Sequence, residues 1–275
     1  MLNLFRKFSR YFLILFIAFA VSFSNISQAY CYEAAGSRNV LQQALDRAAK
    51  IAAQGKNALI VFDLDDTLFS PAMRMRQVLI DFAANTPGVP SGLKAKAEAL
   101  TEATACYEID DTIKNMDVTD KELAKKIKDF YNEQAYTSKY LKYDVPNTGA
   151  VEYVKAARMC GAKVCYLTGR DDDRMGEGTI ASLKDSGFPY GDTGTVLILK
   201  KEPVSSVKFK KEELVKLMKD GAIVASFDNE PKNVNMMKET LGKDCLVIYL
   251  KTRHSGNAVP VEPGILEVDN FSLSK

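Results

Sequence analysis

Two acids two positions apart, Asp63 and Asp65, stand at the end of an unbroken apolar run, in Ala58-Leu59-Ile60-Val61-Phe62-Asp63-Leu64-Asp65-Asp66-Thr67. Carboxylates so placed converge on one small volume, and two like charges there are costly unless a cation or a shared proton compensates them. On a surface loop the same pair would be solvated acids, but the buried-strand character of 58–62 anchors Asp63 and favours a chemical role. A second cluster, Leu167-Thr168-Gly169-Arg170, closes another apolar run. A hydroxyl followed by glycine where a strand turns into a helix can offer an O–H and free backbone N–H groups to a phosphate. Thr-Gly turns are common, so this cluster alone is weak. Asp171, Asp172 and Asp173 follow it and read as caps on the next helix, where acids complement the dipole. A third cluster, Ser226-Phe227-Asp228-Asn229-Glu230-Pro231-Lys232-Asn233, puts Asp228 at a further strand end and starts a helix at Pro231. Upstream, Val207-Lys208-Phe209-Lys210-Lys211 opens a helix with lysines, against the dipole. One of them is expected to have an anionic partner, and the others to form a solvated basic face.

Alternation of elements explains why these clusters sit at strand ends. Residues 39–54 carry apolar positions at helical spacing, and a strand follows at 58–62. After Pro146 the pattern becomes regular. Helices at 149–159, 174–186, 211–219 and 232–241 precede strands at 163–167, 195–199, 222–227 and 245–250 respectively. Apolar strands separated by amphipathic helices imply an α/β fold, a parallel sheet covered on both faces. Ligands in such sheets bind at the carboxyl ends of the strands. Between the first two sheet strands, residues 71–143 read as helical and richly charged, with helices at 74–85, 93–106 and 120–140 and a loop at 86–92.

Composition removes rival chemistries. The chain has 275 residues with one histidine, His254, which excludes sites built on two or more imidazoles, such as multi-histidine zinc hydrolases and HExxH proteases. Nothing around His254 points to a Ser-His-Asp triad, and it reads as a surface loop residue. The 37 Lys+Arg against 35 Asp+Glu give a net charge of +2, too small a field to argue for nucleic acid as a partner. There are five cysteines, an odd number, so at least one is unpaired within the monomer. Cys165 and Cys245 sit in strand-like apolar runs and read as buried thiols; no CxxC pair points to structural zinc.

At the N-terminus Arg6, Lys7 and Arg10 precede an almost wholly apolar run, Tyr11 to Phe23, and Ser27-Gln28-Ala29 supplies small residues. This is the pattern of an export signal over 1–29. The run is shorter than the roughly 20 residues a spanning helix wants, so cleavage near Ala29 is expected and an uncleaved anchor is the alternative. Membrane association is expected only through this segment, and the chain is expected to be exported, periplasmic or secreted.

In order and spacing, the clusters resemble the four motifs of the haloacid dehalogenase-like (HAD) hydrolase superfamily. Asp63-x-Asp65-x-Thr67 is similar to the first motif, Thr168 to the second, a lysine within 208–211 to the third, and Asp228 with Asn233 to the fourth. The resemblance runs from about Ala58 to Leu250. Pro146-Asn-Thr-Gly-Ala-Val-Glu-Tyr-Val leading into Tyr166-Leu-Thr-Gly-Arg, and Gly178-Thr179 followed by Gly187-Phe-Pro, lean toward the secreted acid-phosphatase-like branch. Two positions depart from the family pattern: Asp66 stands where glycine is frequent, and Asn233 replaces a second acid.

The resemblance implies a Rossmann-like core, residues 30–70 and 144–275, with 71–143 as a helical cap insertion. It implies a phosphohydrolase acting on a small-molecule phosphate monoester through an aspartyl-phosphate. In that scheme Asp63 is the nucleophile and Asp65 the general acid and base. Asp63, Asp228 and the carbonyl of Asp65 hold Mg²⁺, and Thr168, Gly169 and Lys210 hold the phosphate. Asp65 argues against dehalogenase chemistry, whose members lack that acid, and Leu64-Asp65 does not match the lysine-threonine pair of the transport ATPases. The alternatives are a phosphotransferase using the same intermediate and an exported binding module without activity. Tyr107, Tyr131, Tyr136 and Tyr140 could stack on a nucleoside base or pack the cap, and the choice between them is left open.

Overall fold

Alternation along each strand builds the two faces of the central sheet. In a computed structural model describing residues 40–256 and 259–273, β1 (Ala58–Phe62) is buried along its whole length. Ala58, Ile60 and Phe62 point into one apolar layer and Leu59 and Val61 into the other, as the two-residue period of a strand requires. The expected signal segment, 1–29, lies outside the described residues. No described helix is long and apolar enough to cross a membrane.

The chain enters through α1 (Val40–Ala53) and β1, forms the short strand β2 (Phe69–Ser70), and leaves the core. It returns through β3 (Val145–Pro146), which pairs antiparallel with β2. From there α6 (Ala150–Met159), β4 (Ala162–Asp171), α7 (Asp172–Asp185), β5 (Thr195–Lys200), α8 (Ser206–Asp220), β6 (Ala222–Asp228), α9 (Pro231–Leu241), β7 (Leu246–Leu250) and β8 (Leu266–Val268) complete the fold. The six-stranded sheet has the order β5-β4-β1-β6-β7-β8, and every pair is parallel. This is the α/β architecture expected from the helix–strand alternation. β8 was not expected: it is a three-residue edge strand, too short to show a period.

Between β2 and β3 lie α2 (Ala72–Asn85), α3 (Leu93–Glu98), α4 (Ile109–Asn115) and α5 (Lys121–Gln134). They bury their own apolar cluster, including Met75, Val78, Leu79, Phe82, Ile113, Ile127, Tyr131 and Tyr140. The expected helix 93–106 stops at Glu98 instead. A hydroxyl turn interrupts it: Thr104 Oγ1 accepts the Thr101 N–H at 2.8 Å, and Thr112 Oγ1 accepts the Cys106 N–H at 2.8 Å. Side-chain oxygens that satisfy backbone donors locally compete with helix continuation.

Two further boundaries move for reasons of capping. α8 begins five residues before the expected Lys211, because the Ser205 side chain accepts the Lys208 N–H. Asp171 caps α7 by accepting the Arg174 N–H at 2.9 Å, while Asp172 and Asp173 fill its first turn. Cys165 and Cys245 are buried free thiols, Cys106 is free and half-buried, and Cys160 is disulfide-bonded.

Candidate active site

β1 and β6 run side by side, with Phe62 opposite Phe227, and the Asp63 N–H donates to the Phe227 carbonyl at 3.0 Å. Neighbouring parallel strands therefore deliver Asp63 and Asp228 to the same carboxyl end of the sheet. Lys210, from the first turns of α8, lies between them, its Nζ 2.7 Å from Asp63 Oδ1 and 2.7 Å from Asp228 Oδ2. All three are withdrawn from solvent, Asp63 at 6% exposure, Asp228 at 0% and Lys210 at 2%. The basic run at the start of α8 thus sorts itself: Lys210 enters the site, while exposed Lys208 and Lys211 face Glu212 and Glu239.

Asp228 is held independently of the lysine. The Glu230 N–H donates to its Oδ1 at 2.8 Å, and Asn233 Nδ2 donates to both oxygens at 3.0 and 3.1 Å. Asn233 is therefore an orienting donor rather than a second acid. Burial, with Asp228 close by, pushes the Asp63 carboxyl up to about 7 against the pull of Lys210. Burial alone would lower the Lys210 ammonium, but the flanking carboxylates of Asp228 and Asp63 raise it above its ordinary value.

The turn that follows explains the residue at 66. Asp66 has φ of +55°, left-handed backbone in which glycine is free and Asp is among the better-tolerated side chains. Its carboxylate is forked by Arg253, with Nε at 2.8 Å and Nη2 at 2.7 Å, and the Thr252 hydroxyl donates to its carbonyl. Thr67 stabilises the same turn by donating to Asn229 Oδ1 at 3.1 Å, its Oγ1 lying 3.4 Å from Asp63 Oδ2.

Asp65 faces a different set of groups. Arg170 grips both of its oxygens, Nε to Oδ2 at 2.9 Å and Nη2 to Oδ1 at 2.8 Å, and Arg74 from α2 adds Nη2 to Oδ1 at 2.5 Å. Asp144 lies behind both arginines, accepting from Arg74 Nε at 2.7 Å and Arg170 Nη2 at 2.7 Å. Burial would raise the Asp65 carboxyl, but the Arg170 and Arg74 guanidiniums overcome it and hold it below the usual carboxylate range. Asp65 stays partly open, its side chain 34% exposed.

A cavity of about 420 Å³ unites these groups, lined by Asp63, Asp65, Thr168, Gly169, Arg170 and Lys210 among others. The Thr168 hydroxyl, 1% exposed as a residue, accepts the Arg170 N–H at 3.2 Å, which leaves its own proton available. Gly169 packs close to Ser206, whose Oγ would lie 2.8 Å from a Cβ at position 169 and would have to turn away. Tyr107 and Tyr136 from the helical insertion line the mouth of the cavity, whereas Tyr131 and Tyr140 are buried among the insertion's own apolar residues. His254 lies in the loop after β7, its Nδ1 3.0 Å from the Ser255 carbonyl, beside a second cleft rather than in this cavity.

The residues proposed from sequence for chemistry, phosphate and metal thus stand around one cavity, with Asp228 directly behind Lys210. Arg74, Asp144 and Arg253 had no sequence signal that joined them to it. Arg170 did have one, its place directly after Thr168-Gly169 at a strand end.

Residues 91–230 match the model of the HAD superfamily, subfamily IIIB (acid phosphatase). The chain belongs to this family. It is accordingly a HAD-like phosphatase, and the matched stretch includes Thr168, Lys210 and Asp228 while beginning after Asp63–Thr67. No curated protein matches the sequence. Among solved structures, a candidate phosphatase from Clostridium difficile is similar over 78% of this chain and 95% of its own, at 16% identity and a TM-score of 0.51. A haloacid dehalogenase-like family hydrolase from Streptococcus pneumoniae is similar over 78% of this chain and 94% of its own, at 10% identity and a TM-score of 0.46. The first of these likenesses bears on the fold alone, which it shares.

Proposed function

We propose that this phosphatase cleaves small phosphate monoesters through an aspartyl-phosphate on Asp63, with Mg²⁺ as cofactor. The observation that carries the reading is the shared Lys210, which brings Asp63 and Asp228 together at the ends of adjacent strands, beside a cavity lined by Asp63, Lys210, Thr168 and Gly169.

A cation fits this donor set. Asp63 and Asp228 both reach one ammonium at 2.7 Å, so their oxygens already converge on positive charge. Among the described residues no cluster of three or more His, Cys, Asp or Glu side chains forms a metal cage. Mg²⁺ needs none, since it is commonly held by one or two carboxylates plus water and substrate phosphate. Asp63, Asp228 and the Asp65 carbonyl would hold it. When bound, it supplies positive charge to the phosphoryl oxygens.

The chain's own residues divide the rest of the work. Thr168 Oγ, the backbone of Gly169 and the Lys210 ammonium bind the phosphoryl oxygens and favour the charge that spreads over them during transfer. An Asp63 carboxylate oxygen forms the bond to phosphorus as the ester oxygen leaves with its electron pair. Asp65 gives that oxygen a proton. Water then attacks the aspartyl-phosphate, Asp65 takes a proton from it, and Asp63 is regenerated with release of inorganic phosphate. The arginines beside Asp65 favour the ionised form needed for the second step, so the first step gains from acidic pH.

Turnover of a panel of phosphomonoesters by the protein lacking residues 1–29, with Mg²⁺ and with EDTA, tests this reading. Hydrolysis that stops with EDTA and returns with Mg²⁺ is expected; equal rates in EDTA would overturn the cofactor assignment. Adding an alcohol to the same assay separates hydrolysis from transfer, since a phosphotransferase would yield the alkyl phosphate.

Export belongs to the same proposal. The basic residues Arg6, Lys7 and Arg10 followed by an apolar run motivate it, and a disulfide-bonded Cys160 supports an oxidising compartment. Intact mass of the protein from its native host is expected to begin near Tyr30, and retention of Met1 to Ala29 would favour an anchor instead.

A further inference from the structure

We propose that Arg170 and Arg74, braced by Asp144, are positioning residues that fix the direction of the Asp65 carboxylate; the proposal rests on Asp65 being the proton donor and acceptor. What each arginine can do depends on which of its N–H groups are free. Arg170 spends Nε and Nη2 on Asp65, shares Nη2 with Asp144 Oδ2 at 2.7 Å, and directs Nη1 at Thr179 Oγ1 at 3.3 Å. Arg74 spends Nε and Nη2 on Asp144, shares Nη2 with Asp65, and directs Nη1 at the Ala135 carbonyl at 3.5 Å. All three nitrogens of each guanidinium are engaged by protein. Although Arg170 borders the cavity, four of its five N–H groups, and all those on Nε and Nη2, are spent on Asp65, Asp144 and Thr179, so its main route to the reaction passes through Asp65.

The geometry is suited to that task. A guanidinium gripping both oxygens of a carboxylate fixes its plane as well as its position. The two arginines are 2% and 3% exposed and the Asp144 side chain is fully buried, so the fork has little freedom to swing. Two positive and two negative groups balance, and each has several partners, the condition under which a buried polar cluster is rigid rather than costly. Asp65 is its one member with an open edge, at 34%, and that edge borders the cavity.

The cluster also spans the fold. Arg74 belongs to the first helix of the insertion, Asp144 to its exit, and Arg170 to β4 of the core. Close backbone contact holds the same corner together: a Cβ on Gly178 would lie 2.6 Å from Ser138 Cα. The direction of Asp65 is therefore set jointly by the core and by the seating of the helical insertion.

The test is a double-mutant cycle on the Mg²⁺-loaded full chain, using p-nitrophenyl phosphate and an aliphatic phosphate monoester. Arg170→Ala and Arg170→Lys are each made alone and with Asp65→Asn, and Arg74→Lys alone. If Arg170 acts through Asp65, Arg170→Ala lowers kcat on the aliphatic ester by about 10–10²-fold, a part of the general acid–base contribution. KM and the aryl ester change much less. In the Asp65→Asn background the same substitution has almost no further effect. Lysine keeps the charge without the fork, so Arg170→Lys and Arg74→Lys show the same selectivity with a smaller loss. Arg170→Lys carries the test alone if the alanine variant does not fold. A rise in KM with kcat unchanged, or an Arg170 effect undiminished beside Asp65→Asn, would overturn the proposal. An Asp63→Asn control reports separately on the parent mechanism: activity surviving there removes both, whereas its loss together with an additive Arg170 effect removes only the positioning role.

Discussion

Two clusters of paired acids and bases lie a few residues apart, and they are built on opposite principles. Around Asp63 two carboxylates share one lysine; around Asp65 two carboxylates share two arginines. The first carries an excess of negative charge and the second is balanced. A lysine is a compact charge on a flexible stem, able to move its contacts from carboxylate to phosphate, whereas the arginine fork is a rigid frame. Asp228 keeps its orientation through Asn233 and the Glu230 N–H whatever the lysine does. One carboxylate pair is thus arranged to receive charged ligands and the other to stay fixed while it does so.

Removing the attacking group from the lysine cluster has the largest expected effect. Asp63→Asn is expected to lose on the order of 10⁴-fold or more in kcat, as loss of a nucleophile does elsewhere, with the circular dichroism spectrum unchanged. Near wild-type turnover in that variant would sink the nucleophile assignment. Asp65→Asn breaks the arginine cluster's functional edge and is expected to cost about 10²–10⁴-fold. The loss is steepest for esters with poor leaving groups, and added Mg²⁺ does not restore it.

Asp228→Asn sharpens the contrast, because its failure is of another kind. Losing a metal ligand is expected to weaken Mg²⁺ binding by about 10–100-fold or more, the range seen even for groups that merely support ligands. Part of its activity returns at high Mg²⁺. Titrating Mg²⁺ against rate for both variants decides the matter; equal rescue of Asp65→Asn and Asp228→Asn would erase the division between the clusters.

The lysine cluster was legible in the sequence and the arginine cluster was not, for a physical reason. Asp63, Thr168 and Asp228 each follow a continuous apolar run, and a parallel sheet brings the ends of such runs together. Lys210 was the lysine the family resemblance pointed to, and helical spacing supports that choice: Lys210, Leu214 and Leu217 fall at i, i+4 and i+7 and share the buried face of α8. Arg74 and Asp144 stand at either end of the insertion, and only the folded insertion brings them together. No local pattern marks a pair separated by that much chain. The insertion's helices were legible as helices but not at their ends, since Thr101, Thr104 and Thr112 stop them with side-chain hydrogen bonds that apolar spacing does not record.

The smallest expected effect is on stability, and it has opposite sign in the two clusters. Asp63, raised by burial to about 7, keeps a proton in the folded chain between about pH 4 and 7, where the unfolded chain has lost it. The folded state then binds more protons than the unfolded, so stability falls as pH rises through that window. Asp65 is held below its ordinary value, so its contribution is present above about pH 4 and is lost as pH falls further. In EDTA the melting temperature is therefore expected to pass through a maximum on the acid side of neutrality. Asp66, also pushed up to about 7 by burial against the pull of Arg253, adds to the alkaline slope. The Asp63→Asn variant isolates the share due to Asp63, because its amide does not titrate. Each pH unit in the window is worth at most about 1.4 kcal/mol, and each kcal/mol about 2–4 °C for a chain of this size. The gap between Asp63→Asn and wild type should thus widen by several degrees from pH 5 to pH 8. Mg²⁺ favours the ionised carboxylate and should close that gap by stabilising the wild type most at pH 8. A gap that stayed constant across this range would place the Asp63 proton outside the window and remove the electrostatic distinction between the two clusters.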